Sequence, residues 1–231
     1  MVIFPILFIF SISPEALLHK IDNTRAPENF ESIIVMTNHY PDGRKIQYRM
    51  KSISKKNKGT YLEFLSPARE KGRKFLVVKD NLWMYVPGVS RIIRLSVKDN
   101  FMGSNFTNND LMKSRFEGDY SPVSIDSTSI KNKYILTLKA KSPSVPYSKI
   151  EITVQKNEYT PQLILYYTLS GKLLRRMRLN SVKNFDGYKI PTYLKMENLL
   201  TENNYTIVRL ESFRERKNIP DRIFNPDNLK R

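Results

Sequence analysis

A chain of 231 residues with 40% hydrophobic and 11% aromatic side chains can bury a sizeable core, and an all-β chain of this length is commonly one domain. The absence of cysteine excludes disulfides, thiolate metal sites, cysteine nucleophiles and lipid attachment through an N-terminal cysteine. Lys and Arg number 39 against 22 Asp and Glu, and the net charge of +17 favours anionic surfaces such as phospholipid headgroups or nucleic acid.

Val2 to Ile12 is apolar except for Ser11. That is the length of a signal-peptide core and well short of the roughly 20 residues that span a bilayer. Export is expected, with residues 1–16 as the signal and 17–231 as a single domain, although no Lys or Arg precedes the run and no good small-x-small cleavage site follows it. After Pro14, the spacing of Ala16, Leu17, Leu18 and Ile21 predicts a short helix that ends before Pro27.

The period then becomes two. Phe30 to Tyr40 reads as a strand, Pro41-Asp42-Gly43 as a turn, and Lys45 to Ser54 alternates Ile46, Tyr48 and Met50 with polar residues. Tyr61 to Leu65 puts Leu62 and Phe64 on one side, and Pro67 closes it. Short strands follow at Lys74 to Lys79, Leu82 to Val86 and Arg91 to Leu95. Alternation stops from Ser96 to Gly118, where Asn108 or Asn109 can cap a short helix; this reads as a lid or crossover. Strands resume at Tyr134 to Ala140, Lys149 to Val154, Gln162 to Leu169, Leu173 to Lys183, Thr192 to Asn198 and Tyr205 to Glu215. About eleven or twelve strands with little helix predict one antiparallel sheet curled toward a barrel.

The sequence is poor in reacting groups. It holds two histidines. His19 lies near the export segment and His39 near a hairpin tip, so a histidine-based triad or metal site is not expected, and no glycine-rich phosphate cradle appears. Neither a cofactor nor a metal is expected; a convergent pair of carboxylates remains open at this level. Basic runs at Arg44 to Lys51, Arg69 to Lys74 and Arg175 to Arg178 could line a nucleic-acid groove, but the solvated outer face of strands explains them more simply, and nucleic acid is not expected as a partner. Trp83 and Tyr85 share a face by alternation. With Ile46, Tyr48, Met50, Leu62, Phe64, Leu136 and Leu138 they are candidates either to line a cavity for flexible apolar ligands or to fill a barrel interior.

The string Glu63-Phe64-Leu65-Ser66-Pro67-Ala68-Arg69-Glu70-Lys71-Gly72, then Asn81-Leu82-Trp83-Met84-Tyr85-Val86-Pro87, then Met102-Gly103-Ser104-Asn105-Phe106-Thr107-Asn108-Asn109-Asp110-Leu111 resembles the bacterial outer-membrane lipoprotein-sorting protein family, relatives of the periplasmic carrier LolA. The likeness continues through Tyr166-Tyr167, Ser170-Gly171-Lys172, Ile190-Pro191 and Phe224 to Leu229. It implies a mainly β chain, an incomplete open barrel wrapped over a few short helices, with an apolar cavity for the acyl chains of lipoproteins or phospholipid. It further implies a soluble, exported, periplasmic carrier that is not an enzyme, is not itself lipidated, and works between an inner-membrane donor and an outer-membrane acceptor. An anionic membrane surface is a further expected partner. The Met102 to Leu111 segment, with Gly103 and Phe106, is the candidate lid. Family carriers have an arginine before the strand-ending proline where this chain has Ser66. A sensor or protein-interaction module of the same fold is the alternative.

Overall fold

The computed structural model describes residues 12–230 apart from 26, 114, 128 and 186. Of residues 1–16, expected to be an export signal, 1–11 lie outside the described residues and Pro14 to Ala16 form the first turn of a helix. Helix α1 (Pro14–Arg25) starts with Pro14, whose missing N–H is harmless in a first turn, and the Ser13 hydroxyl accepts the Ala16 N–H at 3.2 Å. Leu17, Leu18 and Ile21 fall on its buried side, as their spacing predicts.

The strands are β1 (Asn29–His39), β2 (Lys45–Lys55), β3 (Gly59–Ser66), β4 (Lys74–Val78), β5 (Asn81–Val86), β6 (Arg91–Leu95), β7 (Tyr120–Asp126), β8 (Lys133–Ala140), β9 (Lys149–Gln155), β10 (Pro161–Tyr167), β11 (Leu173–Phe185), β12 (Tyr188–Asn198) and β13 (Tyr205–Glu215). Among the described residues all thirteen form one sheet, in the order β6-β5-β4-β3-β2-β1-β13-β12-β11-β10-β9-β8-β7. Two meanders are thus joined by the pairing of β1 with β13, and the sheet stays open between β6 and β7. These edges are consecutive in sequence. The connection between them carries a single helical turn at Phe101–Gly103 and helix α2 (Asn108–Met112).

The sequence reading falls one strand short because β7 is missing from it. This strand contains Pro122 and a register shift between Pro122 and Ser124, and Val123 points to solvent. Proline is tolerated on a sheet edge, where its absent N–H has no ladder partner, so an edge strand can lose the pattern by which strands are read. Gly59 marks the opposite case. A Cβ there would collide with the carbonyl oxygen of Val77, so the β3–β4 approach requires glycine.

Register sets the inner face. Asn38, Thr206, Met196, Met177, Ile164, Ile152 and Leu136 are consecutive cross-strand partners from β1 to β8, and every one is buried. The inner core also takes in α1 and Phe101, Phe106 and Met112 of the β6–β7 connection. A second, smaller core lies on the other face of β2 to β6, where Ile53 and Leu76 pack under Ile219, Phe224 and Leu229 of the C-terminal segment. Lys55 ties that segment down by donating to the Ile219 carbonyl at 2.8 Å and to Asp221 at 2.6 Å.

Candidate functional site

On the inner face, the sheet from β3 through β1 to β11 leaves an apolar cavity of about 200 Å³. Phe30 and Ile34 of β1, Leu62 of β3, Leu179 of β11, Leu194 of β12 and Val208 of β13 form its wall, and Leu111 and Met112 of α2 close one side. Phe30 stacks on Phe213 at 5.1 Å between centroids, which fixes part of that wall. Ser32, Ser52 and Thr60, together with Asp110 and Lys113 of the β6–β7 connection, supply its polar margin. The volume falls below the roughly 300–1,000 Å³ of ordinary ligand pockets.

The reason is the β6–β7 connection. Phe101 and Phe106 are almost fully buried, and Phe101 lies against Phe75 at 4.9 Å and Phe64 at 6.0 Å. Asn38 donates to the Met102 carbonyl at 3.0 Å, and the Asn105 N–H reaches the Thr206 hydroxyl at 2.9 Å. The segment therefore acts as a plug bonded to β1 and β13. Of the lid candidates, Phe106 sits deep in the core, Leu111 borders the cavity, and Met102 and Gly103 form a left-handed turn with φ of 47° and 69°.

The nine candidate lining residues separate into three groups. Leu62 borders the cavity. Tyr48, Met50, Phe64, Leu136 and Leu138 are buried in the inner core, and Ile46 packs against it, but they meet other side chains there instead of open space. Trp83 and Tyr85 require a correction. Leu82 and Met84 take the inward positions of β5, and Trp83 and Tyr85 pack on the outer face with Leu76 and the C-terminal segment.

Helix α2 is held by a polar cluster that sequence reasoning missed. Thr107 caps the helix and Asp110 returns the bond, accepting the Thr107 N–H at 2.8 Å. The Asp110 carboxylate also accepts the Tyr147 hydroxyl at 2.8 Å. Arg175 of β11, itself buried, donates to Tyr147 at 2.9 Å and to Asn100 at 2.7 Å. Burial pushes the Asp110 carboxyl up despite the bonds from Thr107 and Tyr147 and the nearby Arg175 charge. Burial, with Asp110 adding to it, raises Tyr147 well above the ordinary phenol range. The capping pattern at Thr107 to Asp110 was the available signal; the partners lie 37 and 28 residues apart along the chain and carry none. Arg175 belongs in sequence to a basic run with Arg176 and Arg178, yet those two point outward to Glu197.

A second cleft of about 520 Å³ opens beside the cavity, and Thr60, Met112 and Lys113 line both. The β2–β3 and β4–β5 turns form its rim. Lys113 stands at the threshold, bonded to Asp119 at 2.9 Å and to Asp80 at 3.2 Å. Among the described residues no three His, Asp or Glu side chains gather as metal ligands, and no helix is long and apolar enough to cross a membrane. His39 stacks on Tyr205 at 4.3 Å between ring centroids.

A family model whose description reads "-like: Uncharacterized protein" matches residues 56–231. A LolA superfamily protein from Nitrosomonas europaea is similar in structure, with a TM-score of 0.84 and 29% identity over 94% of this chain and 99% of that one. A domain named for outer membrane lipoprotein sorting, from Vibrio parahaemolyticus, aligns with a TM-score of 0.80 and 21% identity over 95% of this chain and 100% of its own. A DUF1329 family protein from Desulfovibrio piger follows at 0.83 and 22%, over 94% and 97%. No curated protein matches the chain.

Proposed function

The chain belongs to the uncharacterized-protein family whose model spans residues 56–231 and has the LolA-like open-barrel fold, and from that premise we propose that it shelters acyl chains of a lipoprotein or lipid on the inner face of its sheet. The observation that carries this reading is the apolar cavity at Leu62, Leu111, Leu179 and Leu194, closed on one side by helix α2 of a connection that contributes no strand to the sheet. Each acyl methylene withdrawn from water contributes about 0.8 kcal/mol, so a carrier of this kind needs apolar lining and no reacting groups. This fold is not a typical enzyme fold, and we assign the chain no catalysis. In this reading residues 1–16 direct export, residues 17–231 form one soluble periplasmic domain, and the cargo passes from an inner-membrane donor to an outer-membrane acceptor. The acyl chains enter as Leu111 and the plug move aside, enlarging the cavity toward Tyr48, Met50 and Phe64.

The plug also favours a second reading. An inner face filled by Phe101 and Phe106 suits an interaction module that binds a protein partner and transports nothing. Native mass spectrometry of the full chain recovered from a periplasm, followed by lipid extraction, separates the two. A copurifying acyl lipid or acylated protein, lost in Leu111→Asp, is the result expected of a carrier. A bare mass together with no uptake of a fluorescent fatty-acyl probe would transfer the assignment to the interaction module.

A further inference from the structure

We infer that the cleft beside the cavity is a headgroup site, and that the cargo is an amphiphile whose acyl chain enters the cavity while an anionic phosphodiester sits among the lysines of the β2–β3 and β4–β5 turns. The inference rests on the acyl-binding reading above and specifies the other end of the ligand. Continuity is the first argument. Thr60, Met112 and Lys113 line both spaces, so a molecule with its tail against Leu62 and Leu111 has its polar end at Lys113.

Charge is the second. Six cationic residues and four acids line the cleft; the ammonium groups of Lys55 and Lys58 turn away to Asp221 of the C-terminal segment, which leaves Lys56, Lys79, Lys113 and Arg115 to face it. Lys79 is exposed and has no side-chain partner among the described residues. A phosphodiester placed there meets Lys79 as well as Lys113. The threshold is also built to accept an exchange of partners: Asp80, one of the two acids on Lys113, has a side chain 91% exposed, so it can turn to water as a phosphate takes its place. Asp119, the other acid, is 10% exposed and keeps Lys113 in position. A neutral headgroup would leave Lys79 unmet and would gain nothing from the lysines.

The test compares lysophosphatidylglycerol with a monoacylglycerol of the same chain length, both titrated below their micellar concentrations into the full chain, with inorganic phosphate and glycerol phosphate titrated alone. Lys79→Asn and Lys56→Gln are the variants; Asn tolerates the left-handed backbone at position 79, where φ is 54°. The anionic amphiphile is expected to bind about tenfold more tightly than the neutral one, and the double variant to remove most of that difference while leaving monoacylglycerol binding unchanged. Equal binding of the two amphiphiles, or a preference untouched by the variants, overturns the headgroup site and leaves the acyl carrier standing. Inorganic phosphate binding as tightly as the amphiphile overturns it in favour of a free-phosphate site. Binding of neither amphiphile overturns the carrier reading, and this inference with it.

Discussion

Phe101 lies over Phe64 at 6.0 Å between ring centroids, with the ring planes 25° apart. One belongs to the β6–β7 connection and the other to β3, so the chain itself occupies the space that an open barrel offers a ligand. Phe101→Ala is expected to destabilise the fold by about 3–5 kcal/mol, the usual cost of emptying a buried aromatic site. If the vacated space is acyl space, uptake of a fluorescent fatty-acyl probe per folded molecule rises in the same variant. A urea melt and a probe titration check the two halves, and lower uptake by fully folded variant would show that the plug is a structural core element and not a gate.

Much of the sheet is legible in sequence because turn chemistry separates its strands. Pro41-Asp42-Gly43 sits between β1 and β2, and the inward residues Tyr48 and Met50 follow from simple alternation. Alternation fails at β5 for a physical reason. Leu82, Trp83, Met84 and Tyr85 are all apolar since both faces of the strand are covered, one by the inner core and the other by the C-terminal segment. Nothing within such a strand states which parity faces inward. The Asp110, Tyr147 and Arg175 cluster was illegible for another reason: its members meet only through the curl of the sheet. The cavity was legible as an apolar inner face but not in its extent, which depends on how far Phe101 and Phe106 fill it.

Trp83 is the sole tryptophan, which makes the outer core directly observable. Leu229→Asp is expected to loosen the C-terminal segment, shift Trp83 emission to longer wavelength, and leave acyl-probe uptake unchanged, because the inner face is on the other side of the sheet. A matching loss of uptake would place Trp83 in the ligand's path after all.

The Asp110 carboxyl is pushed above its ordinary value, foremost by burial. A carboxyl with a raised folded pKa binds its proton more tightly folded than unfolded. Stability is therefore fullest below the unfolded value near 3.8 and falls as pH rises through the folded one. Asp110→Asn keeps an oxygen for Thr107 and Tyr147 but cannot ionise. Its stability relative to the parent chain is expected to improve as pH is raised from about 4 to 7, within the window that buried carboxyls span. Thermal melts across that range check the sign. A flat difference would mean that the Arg175 charge and the bonds from Thr107 and Tyr147 cancel the burial penalty and that Asp110 stays ionised across the range.

Glu31 gives the opposite sign. Burial alone would raise its carboxyl, but hydrogen bonds from Arg216 and Arg214, and then Lys51, outweigh burial and hold it below the ordinary range. These partners join β1 to β2 and to the end of β13, the seam between the two meanders. A depressed carboxyl contributes stability above its unfolded pKa and loses it as pH falls through the folded one. Glu31→Gln is expected to cost about 1.5–3 kcal/mol at neutral pH, the range for hydrogen bonds to a charged group, here one that is mostly buried. The cost should shrink as acid protonates Glu31 in the parent chain. Asp221→Asn is the control, since that carboxyl, pulled down to about 2 by Lys55 and Lys58, is exposed and its pairs are screened by water. Urea melts at neutral and acid pH distinguish the two. An equal and pH-independent loss in both variants would mean that the Glu31 cluster works by geometry at the seam, not by charge.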